Sequence, residues 1–268
     1  MIPEEVRRFA EDPSAFGAIP PESGFERILD ERYCLLLGPV PTFTSVSRLR
    51  IDPDDVSEVI AEIRALVAER DHREAMWWVG SSATPADLAD RLQVHGLVPD
   101  ERTGSEPHAT TMVLTAEPPP GPAEVDVRRV ADLDEYRVAN RIAHQAFGAP
   151  EGDLAAWDAI AEERFDAELS GNGQRTSLAW LEGEPVGVAR ALLADDCPGV
   201  LMIGGAVLPH ARGRGVYRAL VRARWDDAVA AGTPALTTQA GAMSRPILER
   251  LAFEAVAEQE VLLDPATC

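Results

Sequence analysis

Residues 116–123 read Ala-Glu-Pro-Pro-Pro-Gly-Pro-Ala, and neither a helix nor a central strand can pass through such a run. Each proline lacks a backbone N–H, and consecutive prolines favour an extended, semi-rigid connection. The 268-residue chain is thereby cut into two halves of domain size, 1–117 and 124–268, with 118–123 as the linker.

The two halves share a rhythm. In the second, strand Val125–Val130 precedes helices Asp132–Phe147 and Asp153–Leu169, then strands Ser177–Leu181, Val186–Leu193 and Val200–Leu208. Helix Gly213–Ala231 ends at Gly232, strand Ala235–Gln239 follows, a helix starts at Ser244, and Phe253–Leu263 closes as a strand or hairpin. The first half runs through strands Tyr33–Leu37 and Thr44–Ile51, helix Pro53–Arg70, strand Ala75–Val79, helix Pro85–His95 and strand Thr110–Thr115. Both therefore close strand–helix–strand–helix–strand, and Pro85…Leu88-Ala-Asp-Arg91-Leu92 resembles Pro246…Leu248-Glu-Arg250-Leu251.

Charge and cysteine usage exclude several classes. A net charge of −20 argues against a nucleic-acid partner, because phosphate-backbone binding needs basic surface. No apolar run approaches the roughly 18 residues that span a bilayer, and Met-Ile-Pro-Glu-Glu-Val-Arg-Arg is no signal peptide, so neither a membrane nor export is expected. Cys34, Cys197 and Cys268 are scattered, as are the five histidines, which suggests a cytoplasmic chain without disulfides or a metal site. Every basic residue is arginine, so no side-chain amine exists on which the protein itself could be acylated.

Val200 to Leu220 reads VLMIGGAVLPHARGRGVYRAL, an apolar strand leading through glycines into a helix. The first N–H groups of a helix have no partner inside it, so such a junction binds anions. Gly213 and Gly215 admit a bulky phosphate to that backbone, and Arg212, Arg214, Arg218 and Arg222 add positive charge. Gly204-Gly205 inside a strand marks either a bulge or a packing accommodation. At the matching junction of the first half, Asp52-Pro53-Asp54-Asp55 places carboxylates where a phosphate would go, with Asp52 as expected N-cap.

The stretch His210-Ala-Arg212-Gly213-Arg214-Gly215, with the preceding Ala206-Val207-Leu208-Pro209 and the element order of 124–268, resembles the GNAT superfamily of acetyl-CoA-dependent N-acetyltransferases. His210 stands where that family has Gln or Arg, Tyr217 where a small residue is usual, and Leu248 where many members carry tyrosine. The resemblance implies an α/β (α+β) fold of two GNAT-like domains, each a mixed, mostly antiparallel sheet flanked by helices, the first lacking the loop. It implies coenzyme A held by Ala206, Val207 and Leu208 on the strand and by Arg212, Gly213, Arg214, Gly215, Val216 and Tyr217 in the loop. The implied reaction is direct attack of an amine, on a small molecule or peptide, upon the acetyl thioester. It needs an oxyanion donor, for which the N–H of Val207 or Leu208 is a candidate, and a proton for the leaving thiolate.

Candidate catalytic side chains are Ser244, which can also contact the cofactor, Tyr217, and His144, on a helix that borders the acceptor site in the family. Ser244 is equally an expected helix N-cap, and Tyr217 a packing residue beside the cofactor. The absent tyrosine leaves a non-catalytic acyl-CoA-binding or sensing protein as the alternative. A monomer and a homodimer are both compatible with the tandem arrangement. Gly215→Asp is the expected way to abolish coenzyme A binding without unfolding the chain.

Overall fold

Twelve strands from both halves join one sheet. The structure, a computed structural model, describes residues 1–102, 106–149, 151–171 and 173–267. The first half contains α1 (Glu4–Glu11), β1 (Glu26–Leu29), β2 (Cys34–Leu37), β3 (Thr44–Ser47), α2 (Val56–Glu69), β4 (Ala75–Gly80), α3 (Leu88–Val94), β5 (Val98–Pro99) and β6 (His108–Leu114). The second contains β7 (Val125–Arg129), α4 (Leu133–Phe147), α5 (Glu151–Ala159), α6 (Ala161–Leu169), β8 (Gln174–Leu181), β9 (Glu184–Leu192), β10 (Val200–Val207), α7 (Val216–Ala230), β11 (Leu236–Ala240), α8 (Arg245–Arg250) and β12 (Glu254–Asp264).

Along the sheet the order is β1-β2-β3-β4-β12-β6-β11-β10-β9-β8-β7, with the short β5 also on β12. Most pairs are antiparallel; β3–β4 and β10–β11 are parallel. The two final strands change places. β6, from the first half, lies against β11 of the second, while β12, from the second, lies between β4 and β6. Phe253–Leu263 is thus no hairpin: one strand takes the whole segment, because its pairing partners lie in the other half. Arg64 on α2 grips the fully buried Asp264 carboxylate at 2.8 and 2.9 Å, which anchors β12 to the first half.

Burial follows strand alternation and helix stripes. On β4, Trp77 is buried and Trp78 half-buried on the opposite face, as alternation requires. α2 sends Val56, Val59, Ile60, Ile63 and Val67 into the first core. Ile2, Val6 and Ala10, at the N-terminus and on α1, pack on Val113 of β6 and Ala235 beside β11. Gln239 Nε2 and Gln259 Nε2, on β11 and β12, donate to the last carbonyls of α1, Ala10 O (3.0 Å) and Glu11 O (2.7 Å).

Several expected elements differ: the strand expected over Thr44–Ile51 ends at Ser47, and the helices expected from Pro85 and Gly213 start at Leu88 and Val216. Asp153–Leu169 is two helices that break at Ile160, so that Leu154 and Trp157 face a cavity while Ala161 and Phe165 enter the core. α2 begins at Val56 instead of Pro53: Asp52 Oδ1 accepts from the Asp54 N–H (3.1 Å), closing a turn ahead of the helix.

Candidate active site

β10 pairs with β11 only at Val200↔Leu236 and Leu201↔Thr237, and beyond Leu201 no register joins the two strands. On its other edge the register against β9 shifts between Ile203 and Ala206, a bulge at Gly204-Gly205. Gly204 has φ 56°, a conformation that costs a side-chain-bearing residue free energy and glycine little. The bulge bends β10 and opens a gap beside β11.

Of the two amides expected to face that gap, one is committed elsewhere. The Leu208 N–H donates to Val186 O (2.9 Å), and Leu208 O accepts from the Ala211 N–H (3.0 Å). The Leu208 N–H is therefore not free to stabilise an oxyanion, a correction to the expectation for that amide. By ladder alternation the Val207 N–H points away from β9, toward the β11 side.

A single 3₁₀ turn, Pro209–Ala211, leads from β10 into the glycine-arginine loop. Gly213 (φ 78°) and Gly215 (φ 77°) both adopt left-handed conformations, and α7 starts at Val216 with Gly215 as N-cap residue. Among the described residues no carbonyl or side chain accepts a hydrogen bond from the N–H groups of Gly213 through Arg218. Arg218 adds a buried Nε with no partner. Six free amides at a helix start, with an orphaned guanidinium nitrogen, fit an anion. Arg212 is tied back by Nε to Val207 O (3.2 Å), and Arg214 pairs with Glu182 in solvent (2.6 Å). Arg222 bonds Pro118 O (3.3 Å) and Glu117 (2.6 Å), so it fixes the linker rather than the loop.

The linker closes one side of this junction. A Cβ on Gly215 would lie 2.5 Å from Pro122, whereas one on Gly213 would meet nothing within 4 Å.

Beneath the bulge lies a residue that the motif reading missed. Arg224 is 2 % exposed; its Nε donates to Leu220 O (3.1 Å), and its Nη2 has no partner. Burial holds its guanidinium below the usual arginine range, with Tyr217 offsetting part of the effect. The Tyr217 ring centre is 5.8 Å from that guanidinium, and both side chains lie 3.1 to 3.3 Å from the Cβ position of Gly205. A charged residue at the otherwise apolar face Val216-Leu220-Val221-Trp225 was the available signal.

On the opposite face Gly204 borders a cavity of about 670 Å³ with walls from both halves. Phe9, Phe16, Phe25 and Phe43 come from the first; Trp157 and Ile203 come from the second. His144, on the last turn of α4, also lines it. His144 and Gly204 thus line one cavity, while Tyr217 approaches the bulge from the other face.

Ser244 lies outside this lining, between β11 and α8. Ser244 holds the N-cap position of α8 as expected, but its hydroxyl donates to Gly241 O (3.3 Å) and makes no cap bond. Leu248 is fully buried in the core. In the first half, Asp54 N–H is already occupied by Asp52, and no glycine lies between β3 and α2. Among the described residues no three His, Cys, Asp or Glu side chains form a metal-binding group, and no helix is long and apolar enough to cross a membrane.

These features define a GNAT-type acyltransferase fold. Residues 137–253 match the model of the Acetyltransferase (GNAT) family. Solved structures extend the likeness to the whole chain. A GCN5-related N-acetyltransferase from Kribbella flavida aligns over 97% of this chain and 95% of its own at TM-score 0.69 and 19% identity. A tandem GNAT protein from the clavulanic acid biosynthesis pathway aligns over 97% and 93% at 0.60 and 16%. A GCN5-related N-acetyltransferase from Sphaerobacter thermophilus aligns over 98% and 96% at 0.59 and 18%. At these identities the shared property is the fold, here a tandem one. No curated protein gave a significant match.

Proposed function

We propose that the chain transfers an acetyl group from acetyl-CoA to an amine by direct attack. The observation that carries this reading is the run of free amides at Gly213–Arg218 beside a strand that parts from its neighbour at a glycine bulge. The loop Arg212–Tyr217 holds the pyrophosphate, and the pantetheine arm follows Ala206 and Val207 through the gap beside β11. The amine enters the cavity walled by both halves. Its lone pair attacks the thioester carbonyl carbon, the Val207 N–H stabilises the oxyanion, and the C–S bond breaks as the tetrahedral intermediate collapses. His144 takes the proton that the amine loses; Tyr217 is the candidate donor to the leaving thiolate. Ser244 remains a candidate only for contact with the donor.

Residues 1–117 act as a degenerate partner that shapes the acceptor cleft, with 118–123 as linker and 124–268 as the catalytic unit. The chain would work as a monomer or homodimer in the cytoplasm, a setting compatible with the free, buried thiols of Cys34 and Cys197.

Thiol release from acetyl-CoA, followed with a thiol-reactive dye over a panel of amines, tests the reading. Amine-dependent release supports it. The buried Leu248 in place of a tyrosine acid favours the second reading, an acyl-CoA-binding or sensing protein. Coenzyme A binding with no release on any amine would establish that reading instead.

A further inference from the structure

The acceptor cavity has a largely apolar lining, and two guanidinium groups, those of Arg190 and Arg164, stand in its wall. Arg190, on β9, donates from Nη2 to Asn140 Oδ1 (2.7 Å), and its Nη1 lies 3.1 Å from the Cβ position of Gly204. Arg164, on α6, donates to Ser23 O (3.3 Å) and Gln174 Oε1 (2.9 Å). The rings of Phe25 and Trp157 each lie 5.4 Å from its guanidinium carbon. All of these oxygen acceptors are neutral. Neither arginine forms an ion pair among the described residues.

Two neighbouring carboxylates hydrogen-bond to neutral donors. Glu168 accepts from the Thr176 N–H and hydroxyl and from Gln174 Nε2, and Asp158 accepts from Asn140 Nδ2. Asp153 also lines the cavity, and His144 stands on the same wall. Burial, with the like charge of Arg164 adding to it, holds Arg190 below the usual arginine range, and Tyr136 and Glu168 offset part of this.

Two guanidinium groups without an ion pair, side by side on one wall, favour an anion between them. Arginine forks match a planar carboxylate through paired N–H···O bonds. A volume of about 670 Å³ suits a metabolite-sized body, and five phenylalanines and a tryptophan supply the apolar contact.

We propose that this cavity selects an acceptor that carries a carboxylate and an apolar body beside its amine, an amino acid with a large apolar side chain being the simplest case. The carboxylate sits on Arg190 and Arg164. Because Arg190 abuts Gly204, the carboxylate lies next to the bulge, and an α-amine attached beside it reaches the thioester. This inference rests on the acetyltransferase reading for the identity of the reacting amine; the carboxylate preference is a property of the cavity itself.

Calorimetric titration of the intact protein, without coenzyme A, with L-phenylalanine, 3-phenylpropionate and 2-phenylethylamine separates the two. The expected result is binding of both carboxylates at least about tenfold tighter than of the amine that lacks one. Arg190→Met and Arg164→Met should each erase that preference, with melting temperature as the folding control; Arg190→Lys should restore part of it. Equal or tighter binding of 2-phenylethylamine, or no binding of either carboxylate at millimolar concentration, overturns the proposal. The wild-type comparison decides the matter if a variant fails to fold. Carboxylate preference without thiol release would refute the acetyltransferase reading alone, and release without carboxylate preference would refute this one alone.

Discussion

Gly213 and Gly215 both take left-handed backbone conformations, yet they are not equivalent test positions. A Cβ at Gly215 would collide with Pro122, so Gly215→Asp disturbs the linker as well as the loop. Gly213 opens onto free space, and Asp tolerates that conformation better than most residues. Gly213→Asp should therefore weaken coenzyme A binding at least tenfold in calorimetry, through like-charge repulsion, while the melting temperature falls by only a few degrees. Arg224 poses the opposite case. Its guanidinium is buried with Nη2 unpartnered, so Arg224→Leu should raise the melting temperature of the ligand-free protein, by about 2–4 °C for each kcal/mol recovered. The same variant should weaken coenzyme A binding if the buried charge serves the donor, and calorimetry reads both the sign and the size. The loop residues were legible because glycine and arginine in that spacing report a local backbone geometry. Arg224 was not, because only packing shows that a helix residue has lost access to water.

At the scale of elements, α4 is the best-specified helix of the second half. Asp132 Oδ1 accepts from the Glu135 N–H (2.9 Å), and Glu135 Oε2 accepts from the Ala131 N–H (2.9 Å), a capping-box arrangement with the return bond one residue early. Asp132→Ala should cost about 1 kcal/mol of stability in urea unfolding. His144 lies at the far end of this helix, so fraying from the start should alter activity less than stability. The bulge in β10 was foreshadowed by Gly204-Gly205, since paired glycines in a strand have few other uses. The break between α5 and α6 was not. Its apolar residues keep helical spacing across Ile160, and only the need to face both cavity and core divides them.

Across the whole molecule the exchanged strands decide how the chain holds together. β11 has β6 of the first half on its outer edge, and β4 has β12 of the second. Without that exchange each half would bare a sheet edge next to its core. Residues 124–268 expressed alone should therefore be aggregated or unfolded by circular dichroism and size exclusion. Co-expression with 1–117 should restore a soluble complex that melts in one transition; a stable, monomeric second half would contradict this. Among the described residues the amides of Gly213–Arg218 stand free, whereas in the first half Asp52 occupies the Asp54 N–H. Calorimetry should accordingly count one coenzyme A per chain.

The sequence by itself determined the glycine-arginine loop, the helix and strand segments around it, the proline break and the carboxylate-filled counterpart. Each is a matter of backbone conformation over a few residues, where glycine, proline and capping side chains act locally. Tertiary structure alone decided which half each final strand joins, that Arg224 is sealed beneath the bulge, and that Arg190 and Arg164 meet in one largely apolar cavity. These depend on segments far apart in the chain excluding water together, and burial of that kind leaves no mark on the spacing of neighbouring residues.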